Sequence, residues 1–324
     1  MEKKQLNINT LPAAENIRKL YTQYYKNSRG HNESIEVSSH WRECMSLCQV
    51  QIDDDGKVGS LKGLGFGDLQ YTRPWHRLAN VLCIQSYMRN MDRKRIDMVD
   101  RLMRLAKPVL KAIGVPMSYD CFRQICSLAD IANRMQADGV LPQRVLVIGD
   151  GYGFLSSMIK TLWPGSIVVL MDNGPVLLFQ TINIQKVFPG AAHSFVGMDE
   201  LKKSSEGDFW YCVAESRESL PLRDFSLVIN ICSMNEMTID MIREYFKFIR
   251  LRADERNYFY CCNRELKILT GGERTAFLEY PWEAQDEIYF DEDPDFCRYY
   301  YTFRFPFKHY FEPFRHRLVR LKRS

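Results

Sequence analysis

Arg144-Val-Leu-Val-Ile-Gly-Asp-Gly-Tyr-Gly153 is a short apolar run that ends in alternating glycines, and a helical pattern from Phe154 to Leu162 follows it. This reads as strand, tight turn and helix. Ser166-Ile-Val-Val-Leu-Met171 repeats the strand pattern, ends at Asp172, and gives way to a second helical pattern from Val176 to Val187. One βαβα unit of this kind starts a parallel sheet, so the expected fold class is α/β: a Rossmann-like, doubly wound, mostly parallel sheet.

Working outward, further strands are expected at Phe209–Val213, Ser226–Ile231 and Tyr258–Cys262, with a helix from Asp240 to Leu251 between the last two. His193–Val196 reads either as a strand or as part of a connection, being too short for its period to decide. Before Leu141 the pattern is mostly helical, as in Arg95–Leu105, where apolar positions recur every three or four residues. Asp53–Gly67, rich in glycine and acids, reads as an irregular connection before a helix at Trp75. Its acids are consecutive rather than alternating, which argues against a calcium loop. The expected organisation is a helical region over 1–141, acting as lid, substrate or oligomerisation element, and a Rossmann-like domain over 142–324. That domain is expected to close with an aromatic hairpin around Tyr299–Phe307 and a basic tail, Arg315–Ser324.

Composition narrows the classes. At 324 residues and 46% hydrophobic content the chain can bury a large core. Met1–Thr10 lacks the apolar stretch of a secretion signal and no later stretch is apolar enough to span a bilayer, so a cytoplasmic protein is expected. The ten cysteines are scattered with no Cys-x-x-Cys, which favours buried free thiols over zinc or disulfides. A net charge of +4 does not itself argue for nucleic acid. The basic tail and the seven acids between Glu283 and Asp295 read as solvated surface or as partners of each other.

Gly149, Gly151 and Gly153 form G-x-G-x-G between a strand and a helix, where backbone can approach a ligand at the strand's carboxyl end. A dinucleotide fingerprint would need glycine at 154, which is Phe, so the alternation suits S-adenosylmethionine better than NAD. Asp172, nineteen residues after Gly153 at the end of the next strand, is placed to accept hydrogen bonds from both ribose hydroxyls. The competing readings are an ordinary turn and a helix cap before Pro175. Cofactor contacts are expected from Gly149, Asp150, Gly151, Tyr152, Gly153, Asp172, Asn173 and Ile231, and no metal is expected; Asp291–Asp295 has no spacing that compels one.

The segments Val145–Gly153, Leu170–Leu178, Leu227–Met237 and Tyr258–Glu265 with Glu279–Trp282 resemble the class I methyltransferases, and within them the sugar O-methyltransferase family. The resemblance runs from about Arg144 to Trp282. It implies methyl transfer from S-adenosylmethionine to a sugar or glycosylated small molecule. In related enzymes an acid two residues before the first glycine helps hold the methionine amino group; here that position is Val147, and Asp150 is a substitute candidate.

If the nucleophile is a hydroxyl, the protein must align it and remove a proton. Glu236 in Ser233-Met-Asn-Glu-Met237 is the candidate base, with Asn235 and Ser233 as positioning groups; a capping box with Ser233 is the competing reading. His193, His309 and His76 are lone histidines that read as structural or surface residues. Asn263 and Arg264 are candidates for the acceptor pocket, beside Ser233. Trp282 and Tyr299–Phe307 serve either sugar stacking or edge packing. Two alternatives stay open: an RNA methyltransferase gripping phosphate with the basic tail, and a catalytically silent scaffold that has lost the acid at Val147.

Overall fold

The computed structural model describes residues 6–26, 38–45, 49–62, 74–197, 207–297 and 313–322. The helices are α1 (Ala14–Tyr21), α2 (Ser39–Met45), α3 (Pro74–Asn90), α4 (Arg93–Ile113), α5 (Tyr119–Ala137), α6 (Phe154–Leu162), α7 (Gly174–Val187) and α8 (Ile239–Arg252). The strands are β1 (Gln49–Ile52), β2 (Val58–Lys62), β3 (Arg144–Ile148), β4 (Ile167–Asp172), β5 (His193–Phe195), β6 (Phe209–Val213), β7 (Phe225–Ile231), β8 (Ala253–Arg264), β9 (Leu266–Ile268), β10 (Arg274–Ala276), β11 (Glu287–Glu292) and β12 (Phe314–Arg320).

Eight strands form the central sheet in the order β5-β6-β4-β3-β7-β8-β12-β11. The first six are parallel; β12 runs antiparallel between β8 and β11. Because strand side chains alternate faces, Val145 and Val147 enter one core while Leu146 and Ile148 enter the other. On the first face the sheet shares a single core with α4, α5, α6 and α7; the second face is covered by α8 and an aromatic group around Phe277, Tyr280 and Trp282. α4 and α5 therefore bury their apolar stripes in the same core as this sheet face, α4 against α5, α6 and α7. In α4 this stripe is Met98, Val99, Leu102, Ala106 and Val109, between an Asp92 cap and a left-handed Gly114.

The doubly wound, mostly parallel sheet matches the sequence expectation, and His193 to Phe195 resolves as the edge strand β5. Three segments differ. Asp53–Gly67 is not simply irregular: Asp53–Lys57 turns the antiparallel hairpin β1–β2, closed by Lys57 N–H donating to Asp53 Oδ1. Residues 63–73 lie outside those described. The acidic segment and the basic tail are strands, β11 and β12, paired with each other. Asp291 receives Arg315 and Arg317, and Glu287 receives Arg320. They form the edge hairpin; the Tyr299–Phe307 hairpin expected there lies outside the described residues. No helix among the described residues is long and apolar enough to cross a membrane.

Candidate functional site

Strand order reverses between β3 and β7, and in an open α/β sheet the crevice at the carboxyl ends beside such a reversal is where ligands bind. The glycine loop leaves β3 at this point. Gly149, Gly151 and Gly153 have φ of +77°, +69° and +78°, a region that side chains with a Cβ rarely adopt. At Gly149 a Cβ would fall inside the Ser233 side chain, so the loop after β3 and the loop after β7 touch through the missing side chain.

Asp172 ends β4 beside this loop and is 7% exposed. Its Oδ1 accepts from Asn173 N–H at 2.8 Å and its Oδ2 from Gln180 Nε2 at 2.6 Å, and the Gly151 N–H also acts on the carboxylate, which leaves part of its accepting capacity open. Burial pushes its carboxyl up to about 7 against the pull of those hydrogen bonds. Asn173 stands at the N-cap position of α7 without a side-chain cap bond, and Tyr152 packs edge-on to Phe179 while its carbonyl accepts from Asn183 Nδ2. Asp150 points elsewhere: its two oxygens accept from Leu155 and Ser156 N–H, capping α6 from within the loop. The carboxylate considered as a substitute for the missing acid is thus committed to the helix, and Val147 lies in the core at 1% exposure.

Past β7 the polar residues form a framework. Asn230 Nδ2 donates to the Ile148 carbonyl, and Asn230 Oδ1 accepts from Met234 N–H and Asn263 Nδ2. Asn263 Oδ1 accepts from Asn235 N–H, and Asn235 Oδ1 accepts from Arg264 N–H. Asn263, fully buried, spends its amide on this network, so the geometry gives it a positioning place and not the acceptor contact expected of it. Asn235 likewise sits behind the surface, at 2% exposure. Ile231 is half-buried at the end of β7, and Cys232 after it has φ of +59°.

Glu236 is 25% exposed at its side chain, 3.4 Å from His40 Nε2 and 3.1 Å from Lys267 Nζ. Burial raises its carboxyl, but the His40 contact and the Lys267 charge outweigh that, and the net shift is downward. A carboxylate held this way is a weak base. The competing capping-box reading fails in one respect: the Ser233 side chain makes no cap hydrogen bond, and Glu236 N–H donates to the Ser233 carbonyl instead.

His40 and its neighbour Trp41 went unnoticed in the sequence. Trp41 lines the gap over the loop together with Gly149, Asp172, Asn173, Ser233 and Tyr245, and the space left there is about 10 Å³, enough for one water. Tyr24 lies over Gly174, where a Cβ would fall inside its ring.

The remaining candidates are placed elsewhere. His193 stacks on Phe209, with Tyr211 OH 3.0 Å from its Nδ1, at the far edge of the sheet. His309 and the side chain of His76 lie outside the described residues. Trp282 packs against Phe246 and Phe277 in the core, and its Nε1 donates to the Phe277 carbonyl. Asp291 and Asp295 face arginines, and among the described residues no group of acids, histidines and cysteines could hold a metal. No disulfide joins the described cysteines. Of the basic tail on which the RNA reading depends, Arg315, Arg317 and Arg320 are each paired with an acid of the same chain.

No family model matches the chain, and neither does any curated protein. Among solved structures it is similar to a TehB-like SAM-dependent methyltransferase from Corynebacterium glutamicum (11% identity, 61% of this chain and 96% of that one, TM-score 0.36). Magnesium protoporphyrin IX methyltransferase from Synechocystis, a structure with bound SAH, shows 14% identity over 60% of this chain and 81% of its own, with TM-score 0.38. A SAM-dependent methyltransferase from Clostridium acetobutylicum shows 13% identity, 59% and 89% coverage, and TM-score 0.38. Likenesses this distant carry no argument about ligand or substrate. The deciding observation is the strand order, six parallel strands with the reversal between β3 and β7, then an antiparallel β12 set between β8 and β11. The fold is a Rossmann-like, doubly wound sheet. The crevice at the strand-order reversal is lined by Gly149, Asp172 and Ser233.

Proposed function

We propose that this chain is an S-adenosylmethionine-dependent methyltransferase acting on a hydroxyl of a small, sugar-like acceptor. The observation that carries the cofactor is the juxtaposition of the Gly149–Gly153 loop and Asp172 at the strand-order reversal. The positive-φ glycines let backbone approach the ligand, and Asp172 has lone pairs for the ribose hydroxyls. The sulfonium of the cofactor supplies an already activated methyl group. The chain's part is to hold the nucleoside, orient the acceptor and take its proton. Glu236 is the proposed proton acceptor, strengthened whenever His40 withdraws from it; Ser233 and Arg264 flank the acceptor side, and Asn235 and Asn263 hold that edge in place. The sugar assignment rests on the resemblance of Leu227–Met237 and Tyr258–Glu265.

Calorimetry with S-adenosylhomocysteine tests the cofactor. Asp172→Ala is expected to weaken binding about 10- to 100-fold, the loss of a charge-assisted hydrogen bond worth about 1.5–3 kcal/mol. Because the Asp172 carboxyl titrates at about 7, protonation below that removes the anionic acceptor, so affinity should fall as pH drops through that value. Asp172→Asn should bind weakly with little of that pH dependence. Equal binding by wild type and Asp172→Ala would exclude the ribose role.

A silent scaffold is the second reading, favoured by Val147 in the core and by the 10 Å³ gap. It requires that neither wild type nor any variant opening that gap binds S-adenosylhomocysteine.

A further inference from the structure

A site that is to hold a nucleoside has here room for about one water. Ligand pockets are usually of the order of 300–1,000 Å³. What fills the difference is the N-terminal part of the chain, which meets the crevice from two sides. On one side Ala13 N–H donates to Gln185 Oε1, Tyr25 OH donates to the Pro175 carbonyl, and the Tyr24 ring covers Gly174 beside Asn173. On the other, α2 presents Trp41 to Gly149 and Asp172.

The second side is held by a short set of polar contacts. Ser39 Oγ donates to Glu273 Oε2 at 2.6 Å and accepts from Gly271 N–H at 2.8 Å, while Ser39 N–H reaches Glu273 Oε1 at 3.3 Å. Ser38 Oγ donates to the Glu236 carbonyl at 2.5 Å, and His40 Nε2 stands 3.4 Å from the Glu236 carboxylate. These partners sit on the turn between β9 and β10 and on the segment after β7, both outside the sheet core. Against them α2 is only seven residues long, too short to be stable without its docking contacts. Its Arg42 and Glu43 are exposed. A short helix on a few half-exposed hydrogen bonds belongs to the low-stability end of a fold, the end from which gating elements are drawn.

We propose that α2 is a gate over the crevice: Trp41 occupies the space that the ligand takes, and the Ser39–Glu273 contact is the latch that keeps the gate shut. The reading rests on the cofactor site proposed above and adds its regulation. In the closed form the crevice is blocked, and apparent affinity is reduced by the fraction of molecules with α2 undocked. When α2 swings away, His40 leaves Glu236 in the same movement, so the proton acceptor is released by the event that admits the ligand.

The test uses the full chain with S-adenosylhomocysteine as probe, comparing wild type with Ser39→Ala, Glu273→Ala and Trp41→Ala. Association rates come from stopped flow, affinities from calorimetry, and amide exchange is followed over residues 38–45. The two latch variants are expected to speed exchange at Trp41 and Arg42 and to raise both association rate and affinity by roughly three- to tenfold. Trp41→Ala removes the blocking ring itself and should raise the association rate at least as much. Unchanged rates and affinities across all four proteins, with exchange visibly faster in the latch variants, would overturn the gate and leave the cofactor site standing. No binding by any of the four would remove the cofactor site, and the gate with it.

Discussion

Gly149→Val is expected to abolish detectable S-adenosylhomocysteine binding and to destabilise the fold by about 2–6 kcal/mol. Two separate costs add. The first is backbone strain: Gly149 has φ of +77°, and a β-branched side chain forced into that region costs on the order of 1–3 kcal/mol. The second is overlap, because a Cβ at this position would fall inside Ser233, whose loop is tied to the Ile148 carbonyl through Asn230 and cannot retreat freely. Overpacking of this kind costs about 1–3 kcal/mol. Gly114→Val separates the two: its φ is +90° but nothing lies within 4 Å of a Cβ there, so strain acts without overlap. Urea unfolding should rank Gly149→Val well below Gly114→Val, with only the former losing the ligand. If the two were equally destabilised, the contact between the β3 and β7 loops would not matter to the site.

The loop Gly149–Gly153 and Asp172 could be read in the sequence because their meaning is local: a glycine pattern directly after a strand, and an acid at the end of the next one. Asp150 lies in the same loop, yet no pattern says that its carboxylate turns back to cap α6. Ser38, Ser39, His40 and Trp41 meet partners about 200 residues away, such as Glu236 and Glu273, and in sequence they are only the polar start of a short helix. Lys267 and Gln180 were missed for the same reason, since their importance comes from facing Glu236 and Asp172.

The C-terminus is a different case. In Phe314-Arg-His-Arg-Leu-Val-Arg320 the cations read as solvated surface or as partners of the preceding acids, and strand pairing takes the second course, lining Arg315 and Arg317 against Asp291. Charge that looks free along the chain is neutralised across the hairpin at Arg315, Arg317 and Arg320, so those three cations are not available to grip phosphate. The same neutralisation makes this end of the molecule sensitive to single substitutions.

Arg250→Ala is expected to cost about 3–5 kcal/mol, because it strands a buried acid. Arg250 on α8 is 3% exposed at its side chain and Asp286 is 2% exposed. The guanidinium donates to both Asp286 oxygens at 2.7 Å and to the carbonyls of Lys322 and Pro281, and Glu283 lies 3.2 Å away. It thus joins α8, the turn before β11 and the end of β12. Burial raises the Asp286 carboxyl, but Arg250 and the N–H groups of Glu283 and Lys322 outweigh it and hold it below the usual carboxylate range. A group whose folded pKa is depressed contributes stability above its unfolded pKa of about 3.9 and loses it as pH falls through the folded value. Without Arg250 the sign reverses: burial then dominates, the folded pKa rises above 3.9, and the ionised acid destabilises the variant until protonation relieves it. Thermal unfolding of wild type and variant between about pH 7 and pH 4 should therefore show a gap that narrows as the pH falls. A gap constant over that range would mean that Arg250 acts through packing and its carbonyl contacts, with Asp286 contributing little. The sheet edge would then be held by apolar burial of Phe314, Leu318 and Val319, and the ion pair would be incidental to it.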